Sequence, residues 1–110
     1  MSEISKLFGE YLDHLEIEKN RSIKTIENYR RYLDYFFTWS KVSSAKDITE
    51  EMVRRYRIHL NREAGAHDHS LKKNTQNYYV IALRGFLAYC AKRDIESLSP
   101  AKVELAKQSS

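Results

Sequence analysis

Apolar residues recur along this chain with the period of an α-helix. In the stretch from Ser22 to Ser40 they stand three or four residues apart, at Ile26, Tyr29, Leu33, Phe36 and Phe37. This spacing stacks side chains on one face of a helix. Ser22 can cap the free amides of the first turn. We therefore predict a helix over residues 22–40, around which the rest of the domain is organised.

Two further stretches in the first two thirds of the chain show the same period. Residues 3–18 predict a helix that buries Ile4, Leu7, Phe8, Tyr11, Leu12 and Leu15 and exposes the acids Glu10, Asp13 and Glu16. After a loop at 41–48, Thr49 is a predicted N-cap with Glu50 and Glu51 in the first turn. The helix that follows runs to about Ala64 and buries Met52, Val53, Tyr56 and Leu60.

The last predicted helix follows a polar connection and begins at about Lys73. It buries Tyr79, Leu83, Phe86, Leu87 and Cys90, and Lys92 and Arg93 suit its carboxyl end. It shares Thr, Tyr, Leu and Phe with the helix at 22–40 at an offset of fifty residues. An internal duplication and the common demands of two amphipathic helices explain this match equally well. Beyond Arg93 we expect a short helix or turn and a frayed tail.

Composition favours one all-α domain. The 110 residues, 42% of them hydrophobic, can fill a single modest core. One Pro and three Gly leave few breaks in the helices. The single Cys90 excludes an internal disulfide, and no apolar run has the length of a membrane span or signal peptide. We expect a soluble, cytoplasmic protein without a membrane partner.

The charges are distributed unevenly. The formal net charge is +4, but residues 1–20 carry −3, residues 21–41 carry +3 and residues 64–93 carry +4. No acid occurs between Ser70 and Arg84. This polarity predicts one face for a polyanion, with the acidic first helix turned away from it.

Three segments resemble a known family. The run from Ser22 to Phe36 resembles the S-x-x-T-x-x-x-Y-x-x-x-L-x-x-F pattern of the amino-terminal, core-binding domain of tyrosine recombinases, the phage integrases and Xer recombinases among them. The run Ala82–Leu87 resembles that domain's A-L-R-x-F-[FL] helix. Ser99–Leu105 resembles the segment that leads into the catalytic domain. The likeness covers nearly the whole chain.

The resemblance implies a four-helix, SAM-like bundle of two crossed helical hairpins, with a short carboxyl-terminal helix or tail. It implies a core-binding domain at residues 1–98 and the start of a linker to an absent catalytic domain at residues 99–110. In this family the tyrosine nucleophile belongs to that catalytic domain. We therefore expect a non-catalytic fragment without cofactor, whose partners are double-stranded DNA and other recombinase protomers, and whose second and fourth helices face the major groove.

Polar residues on these two helices are the candidates for DNA contact. The second helix and its start offer Arg21, Lys24, Thr25, Asn28 and Arg31. The fourth helix and its lead-in offer Ser70, Lys72, Lys73, Asn74, Asn77, Tyr78 and Arg84. Cations and hydroxyls suit phosphates, whereas an Asn amide suits a base edge because it both donates and accepts hydrogen bonds. A solvated polar face is the alternative interpretation.

Two other functions compete with DNA binding. SAM-like bundles also bind proteins, and the acidic first helix could dock on a neighbouring protomer. The hypothesis of a free-standing enzyme has no support, because the sequence contains no nucleophile–base pair and no phosphate-binding loop. His59, His67 and His69 suggest a metal site, but two histidines in a loop lack the further ligands that a closed site needs, so we predict no metal.

Overall fold

The computed structural model describes residues 3–62 and 73–105, which form four α-helices and contain no β-strand. The helices are α1 (Glu3–Ile17), α2 (Ile23–Ser40), α3 (Glu50–Arg62) and α4 (Lys73–Lys92). Short 3-10 turns occur at Ala45–Asp47 and Pro100–Lys102. The predicted all-α, four-helix architecture is confirmed. Residues 1–2, 63–72 and 106–110 lie outside the described residues, and the predicted tail falls among them.

Side-chain caps begin two of the helices where the sequence predicts them. The Ser22 hydroxyl accepts a hydrogen bond of 3.2 Å from the Thr25 amide, and the Thr49 hydroxyl accepts one of 3.1 Å from the Met52 amide. Each bond satisfies a donor of the first turn that has no partner within its helix. Lys41 ends α2 in a left-handed conformation, with φ at 58°. Both helix starts therefore follow from local sequence.

The helix at the centre of the fold is α4, which differs from the prediction that α2 organises the domain. It packs against α1, α2, α3 and the turn at 100–102, and its contact with α2 is the most extensive between any two helices. Leu83, Phe86, Leu87 and Cys90 are completely buried, and the buried residues Ala82 and Tyr89 widen this face on one side, as Asn77 does on the other. A helix with neighbours on several sides buries residues around most of its circumference.

Aromatic rings fill the space between the helices. The Phe36 and Tyr56 rings of α2 and α3 pack edge to face with centroids 4.8 Å apart, and Phe37 packs in the same way on Phe86 of α4 at 5.3 Å. Each such pair contributes about 0.5–1.5 kcal/mol beyond the area that it buries. Trp39 lies against Phe36 and Tyr56 and completes this aromatic cluster.

The segment after α4 folds back on the bundle. Val103 is 2% exposed within the core, and the turn at 100–102 packs on α4. Lys102 Nζ lies 3.8 Å from Glu50 Oε1 at the start of α3. The first residues of the expected linker are thus attached to the bundle, while the domain boundary at residue 98 stays a prediction.

None of the helices in the described part of the chain combines the length and the apolar composition that crossing a membrane requires.

Candidate nucleic-acid interface

The predicted contact residues of α2 lie along one edge of that helix. Lys24, Asn28 and Arg31 follow each other at the spacing that places side chains on a common face. Lys24 and Arg31 are exposed and Asn28 is half-buried. The Arg31 guanidinium lies 5.2 Å from the centroid of the Tyr32 ring, an arrangement that orients the cation.

The cap of α2 also orients Thr25. The Ser22 hydroxyl donates a hydrogen bond of 3.0 Å to Thr25 Oγ1, and it accepts a hydrogen bond from the Thr25 amide. Because the Thr25 oxygen is the acceptor of this bond, its own O–H remains a donor. A donating hydroxyl at a helix start is a group that can bind a phosphate oxygen.

The outward face of α2 carries both signs of charge. Glu27 and Asp34 are exposed there together with Arg30, and by helical spacing Glu27 lies one turn from both Lys24 and Arg31. The edge of Lys24, Asn28 and Arg31 therefore has an acid beside its cations.

On α4 the exposed candidates are Asn74 and Tyr78, and Arg84 is half-buried. Tyr78 is 53% exposed, which is unusual for a large aromatic ring. Ile81 is half-buried one turn further along the helix. These residues give α4 an outer edge that carries an amide and an aromatic ring and reaches the Arg84 cation.

Asn77 does not lie on this outer edge, so the prediction that it faces outward is wrong. Its side chain is 4% exposed. It stands three residues before Val80, which is 2% exposed, and residues at this spacing share a face. The neighbouring Gln76 is also buried and donates a hydrogen bond of 3.2 Å to Asn61 Oδ1 of α3. The polar character of these amides serves the interior of the bundle.

Direct ring contacts bring the edges of α2 and α4 together. The Tyr32 and Tyr79 centroids are 4.6 Å apart, and the Tyr35 ring packs edge to face on Tyr79 at 5.7 Å. Further along, the Tyr29 ring approaches Gly85. Asn28 and Arg31 flank these α2 tyrosines in sequence and Tyr78 precedes Tyr79, so both candidate sets belong to the two helices that make this contact.

Three predicted residues of the lead-in to α4 cannot be placed. Ser70 and Lys72 fall outside the described residues. Lys73 begins α4, but its side chain is also outside the described set.

Arg21 is exposed at the start of α2, where its amide donates a hydrogen bond of 2.9 Å to the Leu15 carbonyl of α1.

The arginines at the start of α3 are engaged in local ion pairs. Glu51 accepts two hydrogen bonds of 3.0 Å from Arg54 and one of 3.2 Å from Arg55. These bonds, those of Arg54 first, lower the pKa of Glu51 to about 2. These exposed arginines therefore belong to a solvated face.

Titratable groups in the core are held in their neutral forms. Burial raises the pKa of the Tyr11 and Tyr56 hydroxyls well above the ordinary value, and burial also raises the pKa of the Cys90 thiol to about 11. A nucleophile requires the opposite shift or an adjacent base. None of these groups is activated for nucleophilic chemistry.

His59, one of the three histidines weighed as metal ligands, has an aromatic environment. His59 Nε2 is 2.7 Å from the Tyr35 hydroxyl, and the His59 ring stacks on Trp39 at 5.5 Å. Within residues 3–62 and 73–105, no group of three or more His, Cys, Asp or Glu side chains is arranged to hold a metal ion. His67 and His69 lie outside the described residues.

Comparisons with known proteins point to one family. The family model described as "Phage integrase, N-terminal SAM-like domain" matches residues 8–99. The chain is 34% identical over 94 residues to tyrosine recombinase XerC of Actinobacillus succinogenes, a match that covers 83% of this chain and 30% of that protein. It is 33% identical over 104 residues to tyrosine recombinase XerC of Bacillus subtilis, covering 94% of this chain and 32% of that protein.

A further relative is tyrosine recombinase XerD of Halalkalibacterium halodurans, 27% identical over 112 residues that cover 97% of this chain and 36% of that protein. The chain thus spans about a third of the length of the curated relatives it matches. No solved structure gives a significant match.

Proposed function

The chain belongs to the family of phage integrase N-terminal SAM-like domains, and from this membership we propose that it is the non-catalytic DNA-binding domain of a site-specific tyrosine recombinase. It binds double-stranded DNA through α2 and α4 and positions the enzyme on a recombination half-site. The resemblance stated from the sequence motifs is confirmed by the family model and the curated relatives. The DNA contacts themselves are our proposal.

The observation that carries the proposal is the contact of Tyr32 with Tyr79, which joins the two helices that carry the candidate residues. The α2 edge contributes cations and the Asn28 amide, and the α4 edge contributes the exposed Asn74 and Tyr78. A major groove is about 12 Å wide and admits a helix. Two adjoining helix edges can therefore address one groove and the phosphates on its rims.

Each side chain has a role that follows from its chemistry. Lys24, Arg31 and the Thr25 hydroxyl bind phosphate oxygens and fix the orientation of the domain. Asn28 reads a base edge because its half-buried amide has both a donor and an acceptor. Tyr78 packs on sugar or a thymine methyl group, and Arg84 binds a guanine or a phosphate.

In this proposal no tyrosine of the chain is the nucleophile of strand cleavage. Tyr11 and Tyr56 have raised pKa values because they are buried. The chemistry belongs to the catalytic domain of the parent recombinase.

A salt titration of duplex binding tests the proposal. The isolated domain should bind with a Kd of about 10⁻⁴ to 10⁻⁶ M at physiological salt, and four or five phosphate contacts give a slope of log K against log salt of roughly −4. The double variant Lys24→Glu/Arg84→Glu should abolish binding. The matched control Lys6→Glu/Lys46→Glu changes the net charge equally but lies on α1 and the turn at 45–47. Equal losses in both variants, or no binding of the wild type at low salt, would refute the proposal.

A contact with another protomer is the second candidate function. Ile17 at the end of α1 and Ile23 at the start of α2 are 74% and 77% exposed, and they flank the connection next to the acidic face of α1. Sedimentation of the chain with and without DNA separates the two functions. Self-association that is independent of DNA and is lost in Ile17→Ser/Ile23→Ser would favour the protein contact.

A further inference from the structure

A cleft of about 280 Å³ lies where the carboxyl ends of α1 and α4 meet the start of α2. Three cations line it: Lys19 and Arg21 from the α1–α2 connection, and Lys92 from the last turn of α4. None of the described residues that line the cleft is acidic. A concave surface with one sign of charge concentrates the field of its cations and attracts anions.

The α1–α2 connection places two of these cations side by side. Asn20 between them has a left-handed conformation with φ at 50°. The Lys19 amide donates to the His14 carbonyl at 3.1 Å, and the Arg21 amide donates to the Leu15 carbonyl at 2.9 Å. Both backbones are thereby attached to the end of α1, so the cations extend from an ordered turn.

Ala88 leaves space on the α4 wall of the cleft, because it is small and exposed. One turn earlier, the space at Gly85 is filled by the Tyr11 hydroxyl and the Tyr29 ring. Lys92 follows Ala88 at helical spacing, on the same face. An anion can therefore lie against Ala88 and reach the Lys92 ammonium.

Glu18, the acid next to Lys19 in the chain, already has partners. Glu18 Oε1 lies 2.8 Å from His14 Nδ1 and 3.4 Å from the Arg93 guanidinium, and Arg93 itself lies over the Tyr89 ring at 4.9 Å. Among the described residues, Lys19, Arg21 and Lys92 take part in no ion pair with a protein carboxylate. Their charges are available to an external anion.

We propose that this cleft binds one phosphate group of the DNA backbone through Lys19, Arg21 and Lys92. The inference rests on the proposed function, since Tyr29 and Gly85 line the cleft and also belong to the contact of α2 with α4. The bound phosphate extends the footprint of the duplex from Asn28 and Tyr78 to the end of α4. Lys19 and Lys92 were not among the candidates from the sequence, because Lys19 lies in a polar connection and Lys92 suits the carboxyl end of a helix.

Duplex binding by the double variant Lys19→Ala/Lys92→Ala tests the site apart from the rest of the face. Loss of one phosphate contact should weaken binding on the order of fivefold, equally for unrelated duplex sequences, and reduce the magnitude of the salt slope by about 0.9. The control Lys6→Ala/Lys46→Ala should keep the wild-type affinity and slope. If Lys19→Ala/Lys92→Ala behaves like this control while Lys24→Glu/Arg84→Glu still abolishes binding, the cleft proposal is wrong and the proposed function stands.

Amide spectra of the ¹⁵N-labelled chain distinguish a DNA phosphate from free phosphate. We expect the Gly85 and Ala88 resonances to shift on addition of a duplex and to saturate with the same Kd as the Asn28 resonance. Inorganic phosphate should give only small shifts that do not saturate at the duplex concentrations used. Saturation by inorganic phosphate without any response to the duplex would identify a free-anion site and overturn the inference.

Discussion

The Tyr11 hydroxyl of α1 lies directly over Gly85 of α4, 2.7 Å from the position that a Cβ atom at residue 85 would occupy. Tyr11 is 3% exposed and packs against the Phe86 and Tyr89 rings, so it cannot move aside freely. The absence of a side chain at Gly85 makes room for the Tyr11 hydroxyl. Gly85 is therefore a packing requirement within a helix that would otherwise favour alanine.

Gly85→Ala should change stability in opposite directions in two backgrounds. In the wild type the clash with Tyr11, about 1–3 kcal/mol, should outweigh the gain of up to about 1 kcal/mol in helix propensity and lower the free energy of unfolding. In a Tyr11→Phe background the nearest Tyr11 ring carbon is 3.9 Å away, so the same substitution should stabilise. Urea unfolding of the four variants measures the coupling. Equal effects in both backgrounds would show that the contact is unimportant.

The Tyr56 hydroxyl is buried without a hydrogen-bond partner among the described residues. An unsatisfied buried polar group costs about 1–3 kcal/mol, whereas the ring contributes to the packing of Phe36 and Trp39. Tyr56→Phe should therefore raise the free energy of unfolding by about 1 kcal/mol, and Tyr56→Ala should lower it by about 3–5 kcal/mol. Thermal and urea unfolding measure both. A loss of stability in Tyr56→Phe would reveal a partner for the hydroxyl.

Stability should fall at alkaline pH. Burial raises the pKa of Tyr11 and Tyr56 in the folded state, while in the unfolded chain these phenols ionise near pH 10, about their ordinary value. Below that pH both states are neutral. Above it the unfolded state loses protons first, so each tyrosine removes up to about 1.4 kcal/mol per pH unit. Urea unfolding between about pH 9 and 11 should show a smaller decline in Tyr56→Phe than in Tyr78→Phe, a control at an exposed position. Identical declines would contradict this origin.

Asn77 separates a structural role from a DNA-binding role. Because its side chain is buried beside Val80, Asn77→Ala should lower the free energy of unfolding by about 1–2 kcal/mol and leave the duplex affinity of the folded protein unchanged. Asn28→Ala, at a half-buried position on the α2 edge, should lower the duplex affinity and leave the free energy of unfolding unchanged. Anisotropy titrations combined with urea unfolding measure both quantities. A loss of duplex affinity without a loss of stability in Asn77→Ala would show that Asn77 contacts DNA.

The sequence predicts the helices well because their determinants are local. Ser22 and Thr49 cap the helices they precede, and the apolar stripe of α1 is buried as its period indicates. The central position of α4 was not predictable in the same way. Its buried residues cover a wide part of its circumference, and period alone does not reveal how many neighbours a helix has.

The candidate site is only partly visible in the sequence, because polar character does not fix direction. Asn28 and Asn77 are the same residue type on predicted amphipathic helices, yet only the first retains exposed surface on an edge. The cationic cleft was missed because Lys19 and Lys92 are far apart in the chain. Only the left-handed turn at Asn20 and the packing of α1 on α4 bring them together.

Chemical-shift mapping of the ¹⁵N-labelled chain during titration with duplex DNA at low salt tests the central claim most directly. The account predicts that the Lys24, Asn28, Arg31 and Tyr78 amides shift together with one Kd, while the Glu10 and Asp13 amides of α1 do not. Shifts confined to α1 or α3, or no shifts at all, would contradict the proposal that α2 and α4 present one surface to DNA.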